Sequence, residues 1–207
     1  VQRCIGQHGE RPLQRAERLG FLTPQLDAQH MNSLTPEDLE LARRFVDLVW
    51  PLVWQVGGHD DFVPACQAMR KRVISLIPPR EAGAEIKLGA GGLRDTEFSV
   101  QLLQLVHGRT DPRLRLRGTF EGLRALVRNG YVGRDDGALL AEAYRFQRAL
   151  EHRVQLAQLR RTHLLPGDEA SRRRLARSLG LGSADELADA YAASKRQVLR
   201  LHQRLFY

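Results

Sequence analysis

Between Ile86 and Phe98 the chain gathers residue types that could do chemistry: Lys87, Gly89, Gly91, Gly92, Arg94, Asp95 and Glu97. Glycines directly ahead of a helix leave its first amides without intrahelical partners, at the electropositive end of the dipole. With Lys87 before the turn and Arg94 just inside the helix, such a turn could hold an anion such as a phosphate. Asp95 works against this, because a carboxylate in the first turn can take up the same amides. On a helical wheel Arg94, Glu97, Gln101 and Gln104 share one sector. Leu93, Phe98, Val100, Leu102, Leu103, Leu105 and Val106 cover nearly every other direction. A helix apolar almost all round is buried, so its polar stripe must meet partners or a cleft. Alternatively, Arg94 and Glu97 simply pair with neighbouring helices and hold the bundle in register. The spacing is no dinucleotide fingerprint, since the third glycine and a preceding strand are missing. It is no Walker loop either, since no Lys-Ser/Thr pair follows.

Other candidates are weaker. His152 and His163 form no i, i+4 pair, and Cys66 is distant, so structural histidines are favoured over metal ligands. Glu151 with Arg148 and Gln155 reads as a helix-surface network. Trp50 and Trp54, four apart, read as core beside Pro51. The net charge of +8 admits nucleic acid, phosphate-rich ligands or acidic surfaces as partners. The arginines, however, are interleaved with acids, as at Glu40-Leu41-Ala42-Arg43-Arg44. Even Arg160-Arg161 and Ser171-Arg172-Arg173-Arg174 read as solvated helix faces, so no nucleic-acid partner is expected. Hydrophobic residues at 43% and charged residues at 27% describe a globular chain. No apolar run approaches the roughly 20 residues that span a bilayer, and no signal-peptide pattern opens the sequence. Two cysteines, Cys4 and Cys66, make no disulfide framework, which fits a reducing cytoplasm.

The elements that would position these residues are helices throughout. Thr35-Pro36-Glu37-Asp38 is a cap, an early proline and acids at the positive end. That helix should run to about Trp50, where Pro51 ends or kinks it. Asp60 or Asp61 starts a second, through Met69 and Val73 to Pro78-Pro79. Thr119 opens a third that stops at Gly130. Asp135 or Asp136 opens a long helix with an apolar stripe of Leu139, Ala143, Phe146, Leu150, Val154 and Ala157. Asp168 starts a short helix ending at Gly180. Ser183-Ala184-Asp185-Glu186 is a capping box ahead of Leu187, Tyr191, Val198, Leu201 and Leu205. No strand-like alternation competes, so the fold class is all-α, a helical bundle over 34–207 with the glycine-rich turn at 86–98. Residues 1–33, broken by glycine and proline, are expected to be irregular, with at most a short helix around Leu13 to Leu19.

The string Lys87-x-Gly89-x-Gly91-Gly92-Leu93-Arg94-Asp95-x-Glu97-Phe98-x-Val100-Gln101 resembles the signature of the bacterial glutamine-synthetase adenylyltransferase / adenylyl-removing enzymes. A second block agrees: Tyr144-Arg145-Phe146-x-Arg148-x-Leu150-Glu151-His152-Arg153-x-Gln155, then Arg161-Thr162-His163-x-Leu165-Pro166. The resemblance runs from about Leu34 to the C-terminus. It implies a helical accessory domain beside a nucleotidyltransferase domain that adds or removes AMP on a tyrosine of glutamine synthetase. The Gly-Gly-Leu-Arg-Asp form with Arg94 resembles the N-terminal half, which removes AMP by phosphorolysis. Implied partners are glutamine synthetase, a nitrogen regulatory protein and the nucleotidyltransferase domain. That domain holds metal on the nucleotide through an Asp-x-Asp pair. This sequence has no such pair, so no catalytic residue is expected in it, and Mg2+ and nucleotide are expected only with the catalytic domain. Residues 1–33 do not resemble the family's joining segment. Two alternatives stand beside this: a stand-alone helical interaction module, and the helical region of a regulatory-protein uridylyltransferase, which fits Arg94-Asp95-x-Glu97-Phe98 less closely.

Overall fold

The computed structural model describes residues 36–207, which form seven α-helices and no sheet. They are α1 Pro36–Gln55, α2 Phe62–Ser75, α3 Leu93–His107, α4 Thr119–Arg128, α5 Arg134–Gln158, α6 Glu169–Ser178 and α7 Ala184–Phe206. The all-α bundle expected from the periodicity is present. The expectations of an irregular segment over 1–33, a short helix within it and a cap at Thr35, like Cys4, lie outside the described residues. The chain divides after Trp54 into two compact units.

Within the first unit, α1 carries Glu37 and Asp38 in its first turn, where the helix dipole favours acids. The spacing predicts an end or kink at Pro51, yet the helix continues to Gln55. A proline removes only one amide bond and perturbs one preceding carbonyl. Trp50 and Trp54 straddle it and pack edge to face at 5.4 Å, which ties the two turns together.

The second unit contains α2 to α7. One core cluster gathers Ile86, Leu93, Tyr144, Leu150, Val154 and Leu175, and another Val100, Leu114, Leu126, Leu140 and Leu201. α3 packs against α4, α5 and α7, so its buried faces point in three directions. α2 stops at Ser75, short of the predicted Pro78, because residues preceding a proline avoid the helical region. The chain then turns until Ile86 N donates to His163 O at 2.8 Å and Leu165 N to Ala84 O at 2.9 Å. This one antiparallel bridge, between Glu85 and Leu164, pins the approach to the glycine turn against the loop after α5.

Capping follows the sequence closely where side chains do it. Asp168 accepts from Ser171 N at 2.8 Å, and Ser183 Oγ accepts from Glu186 N at 3.0 Å. Glu186 reaches back to the Gly182 amide (2.7 Å), one residue before the Ser183 amide that a capping box engages. The stripe predicted for α5 needs a larger correction. Its buried residues are Gly137, Leu140, Ala143, Tyr144, Gln147, Leu150, Glu151 and Val154, while Leu139 and Phe146 are half-buried and Ala157 is exposed. α5 packs on α3, α4, α6 and α7 together, so its inward face is wide and includes polar positions that find partners.

Candidate functional site

The glycine turn is a packing device first. Gly91 sits at φ +72°, in the left-handed region, and a Cβ there would collide with the carbonyl oxygen of Lys195 on α7. Its own carbonyl accepts from Gln147 Nε2 at 2.8 Å. The first amides of α3 are already bonded: Leu93 N to Ile86 O (3.1 Å), Arg94 N to Lys87 O (3.0 Å) and Asp95 N to Gly92 O (3.0 Å). Asp95 Oδ2 accepts from Gly91 N at 2.6 Å, the competition anticipated from the sequence. An anion at this helix start would therefore have to displace bonds the chain makes to itself.

Beneath the turn lies a fully buried ion pair. Arg70 Nε donates to Asp95 Oδ1 at 2.6 Å, and both side chains are sealed from solvent. The guanidinium also donates to Leu88 O (2.8 Å) and Gly89 O (3.1 Å), so one side chain from α2 holds both the turn and the helix it opens. Such a pair repays its desolvation only when the remaining donors are satisfied, as they are here. Ser99 Oγ donates to Asp95 O at 2.7 Å and lies 2.8 Å from His202 Nδ1 on α7. His202 Nε2 stands 3.4 Å from Asp95 Oδ1 without hydrogen-bond alignment. Burial pushes the His202 pKa down, outweighing the Asp95 charge that pulls it up.

A second carboxylate, Glu151, is also buried, but its partners reach water. Arg148 Nη1 donates to Glu151 Oε2 at 2.6 Å and Lys87 Nζ to Oε1 at 3.2 Å. His163 Nδ1 lies 3.1 Å from Oε1 yet off the hydrogen-bond line, so its contribution is charge when protonated. Glu85 clamps the same segment from below, accepting from the Lys87 and Leu88 amides at 2.8 and 3.0 Å. One turn away, Glu97 accepts from Arg94 Nη1 at 2.9 Å and from the Tyr144 hydroxyl at 3.1 Å. Burial pushes the Tyr144 pKa up, which keeps that hydroxyl a donor. Tyr144, Arg148 and Glu151 follow steps of four and three, so Glu97 and Glu151 are tied to one face of α5. The result is an edge in which Lys87, Arg94, Arg148 and His163 are partly exposed around two inward carboxylates. Cations anchored at one end and hydrated at the other can present themselves to phosphate or to an acidic surface.

The predicted site residues thus divide. Lys87, Arg94, Glu97, Arg148 and Glu151 form this edge. Gly89, Gly91, Gly92 and Asp95 lie buried behind it. Gln101 is exposed, and Gln104 leaves the proposed stripe to bond Leu114 O (2.7 Å) and Leu116 O (2.9 Å) from a buried position. His152 and Arg153 are exposed on other faces of α5. The surface-network reading of Glu151 is corrected: only Arg148 of that network is its partner on α5, and the carboxylate is 1% exposed. Sequence reasoning missed Arg70, Ser99, Gln147 and His202 altogether. Arg70 stands in the run Arg70-Lys71-Arg72, which looks like any solvated basic turn. Among the described residues no His, Cys, Asp and Glu cluster could hold a metal ion. None of the described helices is long and apolar enough to cross a membrane.

Comparison with known proteins adds the family. Residues 67–206 match the family model described as GlnD PII-uridylyltransferase. The chain is 57% identical over 170 residues to the bifunctional glutamine synthetase adenylyltransferase/adenylyl-removing enzyme of Cutibacterium acnes, covering 82% of this chain and 17% of that protein. The enzyme of the same name from Streptomyces avermitilis is 54% identical over 173 residues, again 82% of this chain and 17% of the relative. That from Mycolicibacterium smegmatis is 49% identical over 178 residues, 82% of this chain and 18% of the relative. The chain spans about a sixth of the length of these relatives. On this identity and coverage, the chain belongs to the family of bifunctional glutamine synthetase adenylyltransferase/adenylyl-removing enzymes.

Proposed function

We propose that the chain is the helical accessory domain attached to the half of such an enzyme that removes AMP from glutamine synthetase by phosphorolysis. The observation that carries this reading is a convergence. Two blocks resembling the family signature, 64 residues apart at Lys87 and Glu151, meet on one half-open edge. The edge around Lys87, Arg94, Arg148 and Glu151 is the surface that meets the nucleotidyltransferase domain or its protein substrate. Arg94, in the Gly-Gly-Leu-Arg-Asp form that resembles the removing half, is its most exposed fixed cation. Nucleotide and Mg2+ belong on this reading to the nucleotidyltransferase domain, with glutamine synthetase and a nitrogen regulatory protein as partners in the cytoplasm.

A segment exchange tests this. This chain replaces the matching stretch of the Cutibacterium acnes relative, and two activities are followed. One is ADP release from adenylylated glutamine synthetase with phosphate and magnesium; the other is AMP incorporation into the unmodified protein. Both should survive the exchange, and Arg94→Ala within it should lower ADP release while sparing incorporation. Loss of incorporation with ADP release intact would assign the chain to the opposite half. The 207-residue chain by itself should release no ADP, since it has no Asp-x-Asp pair to hold metal on a nucleotide.

A further inference from the structure

On the surface formed by α4 and the first half of α5 lies a trough of about 890 Å³, floored by apolar side chains such as Phe120, Leu123, Val127 and Ala141. Gly137 causes it. A Cβ at Gly137 would collide with Val127 Cγ2, so the two helices touch there through their smallest residue. Beside that contact α5 offers only Ala138 and Ala141, too short to fill the space opposite Phe120. The rim is strongly basic: Arg124, Arg128, Arg134 and Arg145, all exposed, against a single Glu121. Arg145 lies over the Phe120 ring at 5.6 Å, and Arg124 is 3.5 Å from Glu121 across an exposed pair.

We propose that this trough docks an acidic amphipathic helix from a partner protein, its apolar face on the floor and its carboxylates against the arginine rim. The α5 wall from Arg134 to Arg145 is about 16 Å long, room for roughly three turns of a helix. The floor has no convergent polar groups such as orient a small molecule, and its single aromatic ring is already covered by Arg145, which disfavours base stacking. An apolar floor with a charged rim is the arrangement that receives a helix by one face. Charge chooses the partner, because a basic flank would be repelled at every rim position but Glu121. The chain's own residues 1–33 carry one more arginine than acids, so they do not supply the acidic flank. This docking is independent of which half of the enzyme the chain belongs to.

The test uses the full 207-residue chain and two labelled helical peptides with the same leucine face, one flanked by glutamates and one by lysines. Fluorescence anisotropy at low and physiological salt reads their binding. The glutamate peptide should bind at least about tenfold more tightly, weakening as salt screens the rim. A138W should fill the trough and abolish binding, and the exposed double charge reversal Arg124→Glu/Arg128→Glu should reverse the preference between the peptides. Should A138W fail to fold, the reversal alone decides. Equal binding of both peptides, or indifference to the reversal, overturns the proposal. So does tighter binding of a single-stranded oligonucleotide or of anionic phospholipid vesicles than of the glutamate peptide.

Discussion

The two most deeply buried carboxylates among the described residues, Asp95 and Glu151, have opposite surroundings. Asp95 is closed in by Arg70, the Gly91 amide and His202, all sealed from water. Glu151 is just as deep, yet Lys87, Arg148 and His163 lead outward from it. The same chemistry therefore does two jobs. Around Asp95 every charge is consumed in holding α2, the glycine turn and α3 together. Around Glu151 the cations keep one end in water, which on the proposed function is the end offered to an incoming group. Burial of the acid alone does not distinguish lock from site; the exposure of its partners does.

Breaking the lock should have the largest effect. Asp95→Ala strands a buried guanidinium, and a loss of about 3–5 kcal/mol is expected in a urea melt. A loss below about 1 kcal/mol would mean that the pair is open to water and the contrast with Glu151 is false. His202 adds a pH signature to the same lock. Its folded pKa lies below the ordinary value of 6.5, so on acidification the unfolded chain takes up the proton first. This contribution to stability is complete above pH 6.5 and is lost as pH falls towards the folded pKa. His202→Gln should flatten that part of the stability–pH profile, and an unchanged slope would contradict a buried neutral imidazole.

Next in size is Gly91→Ala. A methyl group there meets the Lys195 carbonyl while the backbone is held at φ +72°. The left-handed conformation costs about 1–2 kcal/mol and overpacking about 1–3 more. A melt of the variant should therefore show a loss of about 2–5 kcal/mol. Gly130→Ala is the control: its φ is +80° but a Cβ meets nothing, so only the conformational part should be lost. Equal losses in the two variants would show that the turn is not pressed against α7.

The sequence carried the helices and the side-chain caps of the last two, because Asp168 and Ser183 act on neighbours a few residues away. Asp61 precedes α2 without a side-chain bond, and α4 and α5 follow Gly118 and Gly133 rather than a capping Thr119, Asp135 or Asp136. It carried the glycine turn too, and the competition of Asp95 for its amides. What it could not carry were partners set by packing. Arg70 lies 25 residues before Asp95, and His202 lies 103 after Ser99. Periodicity counts apolar residues, so it rotated the inner face of α5 away from Glu151, which read as surface, and passed over Gln147. The convergence of Lys87 with Glu151 was invisible for the same reason, although both residues had been singled out.

Opening the outward network should cost less than breaking the lock. Glu151→Gln keeps the side-chain volume and removes the charge that Lys87 and Arg148 share. Both cations can then turn to water, so a loss of about 1–2 kcal/mol is expected in the melt. The sharper reading comes from salt: the loss should shrink as ionic strength screens the released cations. A loss matching that of Asp95→Ala, with no salt response, would put Glu151 in the same class as the lock.

The smallest effect belongs to Glu97→Ala. Had the Arg94 and Glu97 stripe been buried, removing the acid would have cost about 3–5 kcal/mol. In the structure the Arg94 side chain is 40% exposed and that of Glu97 12%. The guanidinium can therefore hydrate when its partner goes, and an exposed i, i+3 pair contributes about 0–1 kcal/mol. The remaining loss is the hydrogen bond from the Tyr144 hydroxyl, worth about 1 kcal/mol net. A total of about 1 kcal/mol is thus expected in a urea midpoint shift at unchanged slope. Tyr144→Phe alone should reproduce most of that loss, because the hydroxyl rather than the ion pair carries it. If Glu97→Ala instead costs as much as Asp95→Ala, Arg94 is shielded from solvent, and the open edge on which the proposed function rests does not exist.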